Sequence, residues 1–292
     1  MVKHFSFLFL LMIASYCDAY EIIYSAREEY YLSQIYVRDE EGNVEHLLEI
    51  IDKNIGYDYP QGSKNGDFIL TRRSDLDGNY DIVMLKKNGE INKSLSLGGY
   101  MDFPQFSADE RGVYFVQTYS NTNSDSIIYY WDLLSDKVSA ISPKRGAYSE
   151  IFVSRESSNI GYITNNKELG LYDLGSGNFY KIYKSHGRIS DPVFYEENLI
   201  LFIEKVDESY NIISINRITG VISTEFTLNK EIFFIEKLPS QSSLLVGLAA
   251  SEYSYDTVFY EAKFDNEGVK LLNDPIHLVE APVYLPDVID RH

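Results

Sequence analysis

A repeat with a period in the mid-forties constrains this chain more than any other feature. A proline or acidic residue beside a strand-forming stretch recurs at Pro60, Pro104, Glu150, Pro192, Glu236 and Pro282. The spacings are 44, 46, 42, 44 and 46 residues. Within each unit an apolar run, a polar connection, a second apolar run and a hairpin follow the marker. In the clearest copy, Phe68, Ile69 and Leu70 precede the turn residues Asp77, Gly78 and Asn79, and Ile82, Val83, Met84 and Leu85 come after. Runs rich in aromatic and β-branched residues favour strands. Hairpins such as Lys87-Asn88-Gly89 and Gly175-Ser176-Gly177 carry residues that tolerate positive φ. A period of this length with four strands per unit is that of propeller blades.

Six third strands imply six blades, and the spacing predicts an all-β, six-bladed β-propeller. The first unit begins at Tyr20-Glu21-Ile22-Ile23-Tyr24, which reads as a second strand, so its opening strand is missing. Ala281-Pro282-Val283-Tyr284-Leu285-Pro286 reads as an opening strand at the other end of the chain. Residues 281–286 are therefore expected to close the ring as the innermost strand beside residues 20–50, with Asp290, Arg291 and His292 beyond it. Closure would leave no long sheet edge open. At 292 residues with 45% hydrophobic content, the chain can bury one large core. No linker or low-complexity tract divides it, so residues 20–292 read as a single domain. A β-sandwich or β-solenoid fits the even period and the split first repeat less well.

Residues 1–19 read as a secretory signal peptide. Lys3 and His4 precede an apolar run from Phe5 to Ala14, too short to span a bilayer as a helix. Cys17-Asp18-Ala19 then places small residues where cleavage before Tyr20 requires them. Lipidation at Cys17 fits poorly, because Tyr16 stands where a lipoprotein signal has a small residue. Cys17 is the one cysteine, so the chain after cleavage has no disulfide, thiolate nucleophile or Cys-ligated metal. The expected location is exported, periplasmic or secreted, with no stable membrane span after signal cleavage. The formal charge of −18 argues against nucleic acid as a partner, since phosphate binding needs basic surface. Acidic surface suits solvation, or basic and cationic partners.

The run Asp102-Phe103-Pro104-Gln105-Phe106-Ser107-Ala108-Asp109-Glu110-Arg111-Gly112 resembles the D-x-x-P-x-[FW]-S-P-D-G start of TolB-type, WD-repeat-like propeller repeats. Thr71 to Ile82, with Arg72, Asp77-Gly78-Asn79 and Asp81-Ile82, resembles the continuation of the same repeat. The resemblance implies a propeller over nearly all of residues 20–292. TolB itself has an α/β domain before its propeller, whereas the repeats here start at Tyr20, so TolB's Tol–Pal role is not implied. Prolyl-oligopeptidase-like enzymes share the repeat but add a hydrolase domain, and no Gly-x-Ser-x-Gly elbow occurs here. Oligogalacturonate lyases share it too and hold a divalent metal through His-rich ligands. Here His46, His186 and His277 would have to converge from different repeats, and ligation needs such convergence. No metal or cofactor is expected.

Local candidates read mostly as structure. Asp75-x-Asp77-Gly78-Asn79 lacks the later ligands of an EF-hand loop and fits a solvated turn. Adjacent Glu28 and Glu29 would point to opposite faces of a strand rather than form an acid pair. Trp131 suits packing between blades better than a sugar platform. Arg72-Arg73 and Lys144-Arg145 are basic islands of the solvated kind. Carboxylates from different blades remain free to meet in the central channel.

Propeller geometry brings the fourth-to-first and second-to-third connections together on one face around the channel mouth. That face is expected to be Tyr-rich with mixed charge, and Arg27, Tyr59, Arg72, Asp102, Tyr148, Asp191 and Tyr253 are its candidate ligand-binding residues. Tyr offers rigid, amphipathic contact area, and loops on a rigid scaffold tend to carry function. Those Tyr rings could equally cover the core between blades. The expectation is a non-catalytic scaffold that binds a protein or peptide through the channel-mouth face. The alternative is a carbohydrate-binding or carbohydrate-active propeller, lyase- or hydrolase-like.

Overall fold

The computed structural model describes residues 19–27, 32–39, 41–48, 54–119, 125–142, 145–156, 159–238, 243–251, 254–265, 268–279 and 283–291. They form strands and turns in six four-stranded antiparallel sheets. Blade I contains β1 (Ala19–Ala26), β2 (Gln34–Arg38) and β3 (Val44–His46). Blade II is β4 (Ile55–Gly62), β5 (Phe68–Asp75), β6 (Tyr80–Lys86) and β7 (Ile91–Leu95). Blade III is β8 (Tyr100–Phe106), β9 (Gly112–Thr118), β10 (Ser126–Asp132) and β11 (Val138–Ala140). Blade IV is β12 (Tyr148–Val153), β13 (Asn159–Thr164), β14 (Glu168–Asp173) and β15 (Asn178–Lys184). Blade V is β16 (Arg188–Glu196), β17 (Leu199–Val206), β18 (Ser209–Asn216) and β19 (Ile222–Leu228). Blade VI is β20 (Ile232–Lys237), β21 (Ser243–Ala249), β22 (Thr257–Asp265) and β23 (Gly268–Val279). β24 (Val283–Arg291) joins blade I on the inner side of β1.

Strand position explains strand composition. Second strands are covered on both faces by neighbouring blades, so β9 is buried throughout and β17 reads as the continuous run Leu199-Ile200-Leu201-Phe202-Ile203. Outer strands face solvent, and β7, β11 and β19 are short or polar. The core is divided among the six blade interfaces. Leu70, Met84, Phe106, Phe115 and Trp131 fill the junction of blades II and III. Ile22, Tyr24, Val283 and Val288 pack on Phe234, Leu245 and Phe259, which joins blade I to blade VI. Trp131 is thus a packing residue, as its strand position implies.

The closing strand is where the sequence expectation placed it, but longer and shifted. β24 pairs with β1 from Ala26↔Val283 to Ala19↔Arg291. Asp290 and Arg291 therefore lie within the strand, paired with Tyr20 and Ala19, rather than beyond it. The shift has a physical cause in the innermost strands. Each of the six carries a register shift against its second strand, a β-bulge that lies within β4, β8, β16 and β24 and at the start of β12 and β20. Four bulges fall on an X-Pro pair: Tyr59-Pro60, Phe103-Pro104, Asp191-Pro192 and Leu285-Pro286. Proline has no N–H for the ladder, and a bulge is where a strand can omit one. Pro286, not Pro282, is thus the marker in phase. Tyr59, Phe103 and Asp191 take left-handed conformations, with φ of 56°, 53° and 50°. The same bulges correct an expectation about loops. Tyr57 to Tyr59, Tyr100 to Asp102, and Ser190-Asp191 lie inside innermost strands rather than in fourth-to-first connections.

Candidate functional site

The bulged innermost strands surround an axial cavity of about 320 Å³. All six contribute to it: Tyr59 and Gln61 from β4, Gln105 from β8, Glu150 from β12, Asp191 from β16, Glu236 from β20 and Asp287 from β24. Its lining continues through Ser154, Arg155, Glu196 and Leu238, at the ends of those strands and in the first-to-second turns. The cavity therefore reaches the face opposite the loop-rich mouth that sequence reasoning favoured.

Four carboxylates from four blades line the cavity, and one guanidinium enters it beside one of them. Arg155 Nη2 donates to both carboxylate oxygens of Asp287 at 2.8 Å, linking blade IV to the closing strand. The backbone N–H of Gly62 donates to the same carboxylate at 2.7 Å. Glu150 accepts the N–H of Asp191 at 3.3 Å, and Glu236 accepts the N–H of Lys237 at 3.1 Å. Among the described residues Glu150, Asp191 and Glu236 form no ion pair, although the Arg188 charge acts on Glu150 and Asp191 from farther away. Burial pushes Glu150 well above the usual carboxylate range, and the charge of Asp191 adds to it. Burial likewise carries Asp191 to about 7. Glu236 rises to about 8, through burial first and then Asp287, with Arg155 opposing. These three side chains are half-buried, set deep between blades but reached by the channel. The upward direction follows from that enclosure.

A second cluster stands between blades II and III. Arg72 donates to Asp58 at 2.6 Å and also pairs with Asp102. Its guanidinium lies over the rings of Tyr59 and Tyr80, at 4.7 and 5.0 Å from their centroids. Burial disfavours the Arg72 charge, but Tyr59, Asp102 and Asp58 outweigh it, and the guanidinium is held charged. Burial raises the Tyr59 hydroxyl well above the ordinary tyrosine value. Tyr59 belongs to both places, since it also lines the cavity.

Of the residues singled out in the sequence, Tyr59, Arg72 and Asp102 come together, and Asp191 faces the cavity near Glu150. Arg27 follows β1 with an exposed side chain, outside the cavity lining. Tyr148 is buried at 8% exposure among Tyr162 and Phe179, so it covers the core between blades III and IV. Tyr253, Glu28, Glu29, Lys144 and residues 1–18 lie outside the described residues. Sequence reasoning did not select Glu150, Arg155, Glu236 or Asp287. A signal was present at Glu150, which adjoins the bulge of its innermost strand as the X-Pro pairs do in four others, whereas Glu236 lies beyond the bulge of β20.

The remaining candidates have local roles. The Asp75 carboxylate accepts the backbone and side-chain N–H groups of Asn79 at 2.9 and 2.8 Å, closing a turn. Arg145 pairs with Asp125 at 2.8 Å and lies over Tyr119. His46 packs edge-on to Tyr36, and His277 lies 3.3 Å from the Tyr24 hydroxyl. The described residues hold no group of three or more His, Cys, Asp or Glu placed to bind a metal. No helix among them is long and apolar enough to cross a membrane.

No protein-family model matches the chain, and no curated protein matches its sequence. Solved structures do match in fold. TolB from Acinetobacter baumannii superposes with a TM-score of 0.68 at 15% identity, covering 92% of this chain and 66% of that one. This chain thus spans just under two thirds of the length of that TolB. A TolB-named protein from Agrobacterium tumefaciens gives 0.63 at 11% identity, covering 94% of this chain and 98% of that one. An oligogalacturonate lyase in complex with manganese gives 0.58 at 14% identity, covering 86% and 72%. At these identities the likeness is one of fold: the chain is a six-bladed β-propeller of TolB-like architecture.

Proposed function

We propose that this TolB-like propeller is an exported, non-catalytic scaffold that holds a protein or peptide at its central channel. The observation that carries the reading is the axial cavity, to which every blade contributes a bulged strand. A bulge re-aims side chains, and a rigid ring keeps them in place without a partner. Tyr59, Arg72, Asp102 and Asp191 are the side chains assigned to contact, joined by Glu150 and Glu236. Export rests on the signal-like residues 1–19. A pull-down from periplasmic and secreted extract with the wild-type chain and a Tyr59→Ala, Asp191→Asn double variant tests the reading. A band retained by the wild type and lost by the variant is expected. Identical or empty profiles for the two proteins would overturn it.

A second reading, a carbohydrate-active propeller, draws on the close carboxylates Glu150 and Asp191, whose raised values suit proton transfer. The fold likeness to an oligogalacturonate lyase points the same way. Release of reducing ends from a polysaccharide panel, lost in Asp191→Asn, would establish this reading. Silence across the panel would retire it.

A further inference from the structure

The axial cavity is small, partly open and unevenly charged. About 320 Å³ lies at the lower limit of ligand pockets. It accommodates one long side chain better than a folded element. Its walls include Ile151, Val193 and Val288, which can cover a methylene stem while a charged head reaches the carboxylates.

Two independent observations define the head group. First, the cavity already holds a guanidinium. Arg155 enters from a turn of blade IV and lies against Asp287, whose carboxylate is buried at 5% exposure. That pair occupies the side of the cavity formed by the closing strand. Second, Glu150, Asp191 and Glu236 form no ion pair among the described residues: Arg188 acts on Glu150 and Asp191, and Arg155 on Glu236, only from beyond contact distance, and the three belong to successive blades across the cavity from β4. They do not converge as metal ligands do. Their spacing suits an extended cation that can meet them one at a time. The charge of −18 on the whole chain draws cations toward the channel from a distance.

We propose that the cavity takes a single lysine or arginine side chain of the bound partner, entering from the face of the first-to-second turns, with Glu150, Asp191 and Glu236 as its counter-charges. This rests on the scaffold reading for its partner, but not for its chemistry. Arg155, in the first-to-second turn of blade IV, stands at this entrance and confines entry to the side away from Asp287, because its own charge repels a second cation there. Acetylated lysine and citrulline, which keep the stem but lose the charge, are excluded by the same carboxylates.

Calorimetric titration of the full mature chain with acetyl-Gly-Gly-Arg-Gly-Gly-amide and its citrulline counterpart tests the proposal without any knowledge of the partner. The arginine peptide is expected to bind about tenfold or more tightly than the citrulline peptide, as loss of charge-assisted hydrogen bonds requires. A Glu150→Gln, Asp191→Asn, Glu236→Gln triple variant should lose that difference while keeping the wild-type circular dichroism spectrum. The single Glu236→Gln variant should lose part of it. Equal affinity for the two peptides, no binding of either at millimolar concentration, or an undiminished arginine preference in the triple variant would each overturn the assignment. If the peptides fail while the pull-down still retains a partner, the basic side chain is wrong and the scaffold stands. If the arginine peptide binds selectively while the pull-down is empty, the pocket stands and the scaffold reading falls.

Discussion

At the scale of single residues, protons are part of the folded state of this molecule. With no cation bound, Asp191 at about 7 is half protonated and Glu236 at about 8 mostly protonated in the folded ring at neutral pH, and a basic side chain entering the cavity would release those protons. In the unfolded chain such groups ionise near pH 4. Between these limits the folded state binds more protons, so stability is greatest at the acidic end and falls as pH rises toward about 8. The turn aspartates Asp75, Asp109, Asp132 and Asp173 act in the opposite sense. Hydrogen bonds to their carboxylates hold them below the ordinary value, so their stabilisation is lost only as pH falls through the acid range. Melting temperature should therefore decline from pH 6 to pH 8.5 in the wild type, and decline less in Glu236→Gln, which has no proton to lose. Parallel profiles for the two proteins would refute the assignment. Arg72, Asp102 and Tyr59 were legible as candidates because each stands beside a turn or repeat marker. Their joining into one ion-paired, ring-stacked unit was not, since it depends on two blades being side by side.

At the scale of elements, the innermost strand decides both the site and the integrity of the ring. Strand order, the third strands and the split first blade were legible from apolar runs and hairpin residues. The bulges were not, because proline was read as opening a strand when it marks an unpaired slot within one. That single displacement moved Asp58, Asp102 and Asp191 from loops into strands, and it moved the closing strand from residues 281–286 to residues 283–291. A consequence for stability follows at Ile289. It is buried at 2% exposure in the junction of blades I and II and packs against the bare backbone of Gly62. Ile289→Ala should destabilise the protein by about 2–5 kcal/mol, the cost of a large-to-small core change. Deleting residues 283–292 should lower the melting temperature further and produce aggregates in size-exclusion chromatography, through the edge exposed on β1. A deletion variant that melts with the full chain would show that β24 is dispensable.

At the scale of the whole molecule, net charge and closure act against each other. A charge of −18 on one compact ring produces self-repulsion. Ion pairs between blades, such as Lys87 with Glu21 and Lys93 with Asp136, offset little of it because each has an exposed partner, Lys87 in the first and Asp136 in the second. Added salt should raise the melting temperature as the screening length falls from about 30 Å at 0.01 M to about 8 Å at 0.15 M. A melting temperature that falls over that range would mean that local ion pairs outweigh the global charge. The path of the chain around the ring also bears on how the molecule is made. Blade I joins β1, which precedes the strands of blades II to VI along the chain, to β24, which follows them. During synthesis, blades II to VI can assemble one after another while β1 waits without its inner neighbour. A chain interrupted anywhere before Val283 cannot complete blade I. The seam thereby serves as a check on length, admitting to the closed state only chains that have been read through β24.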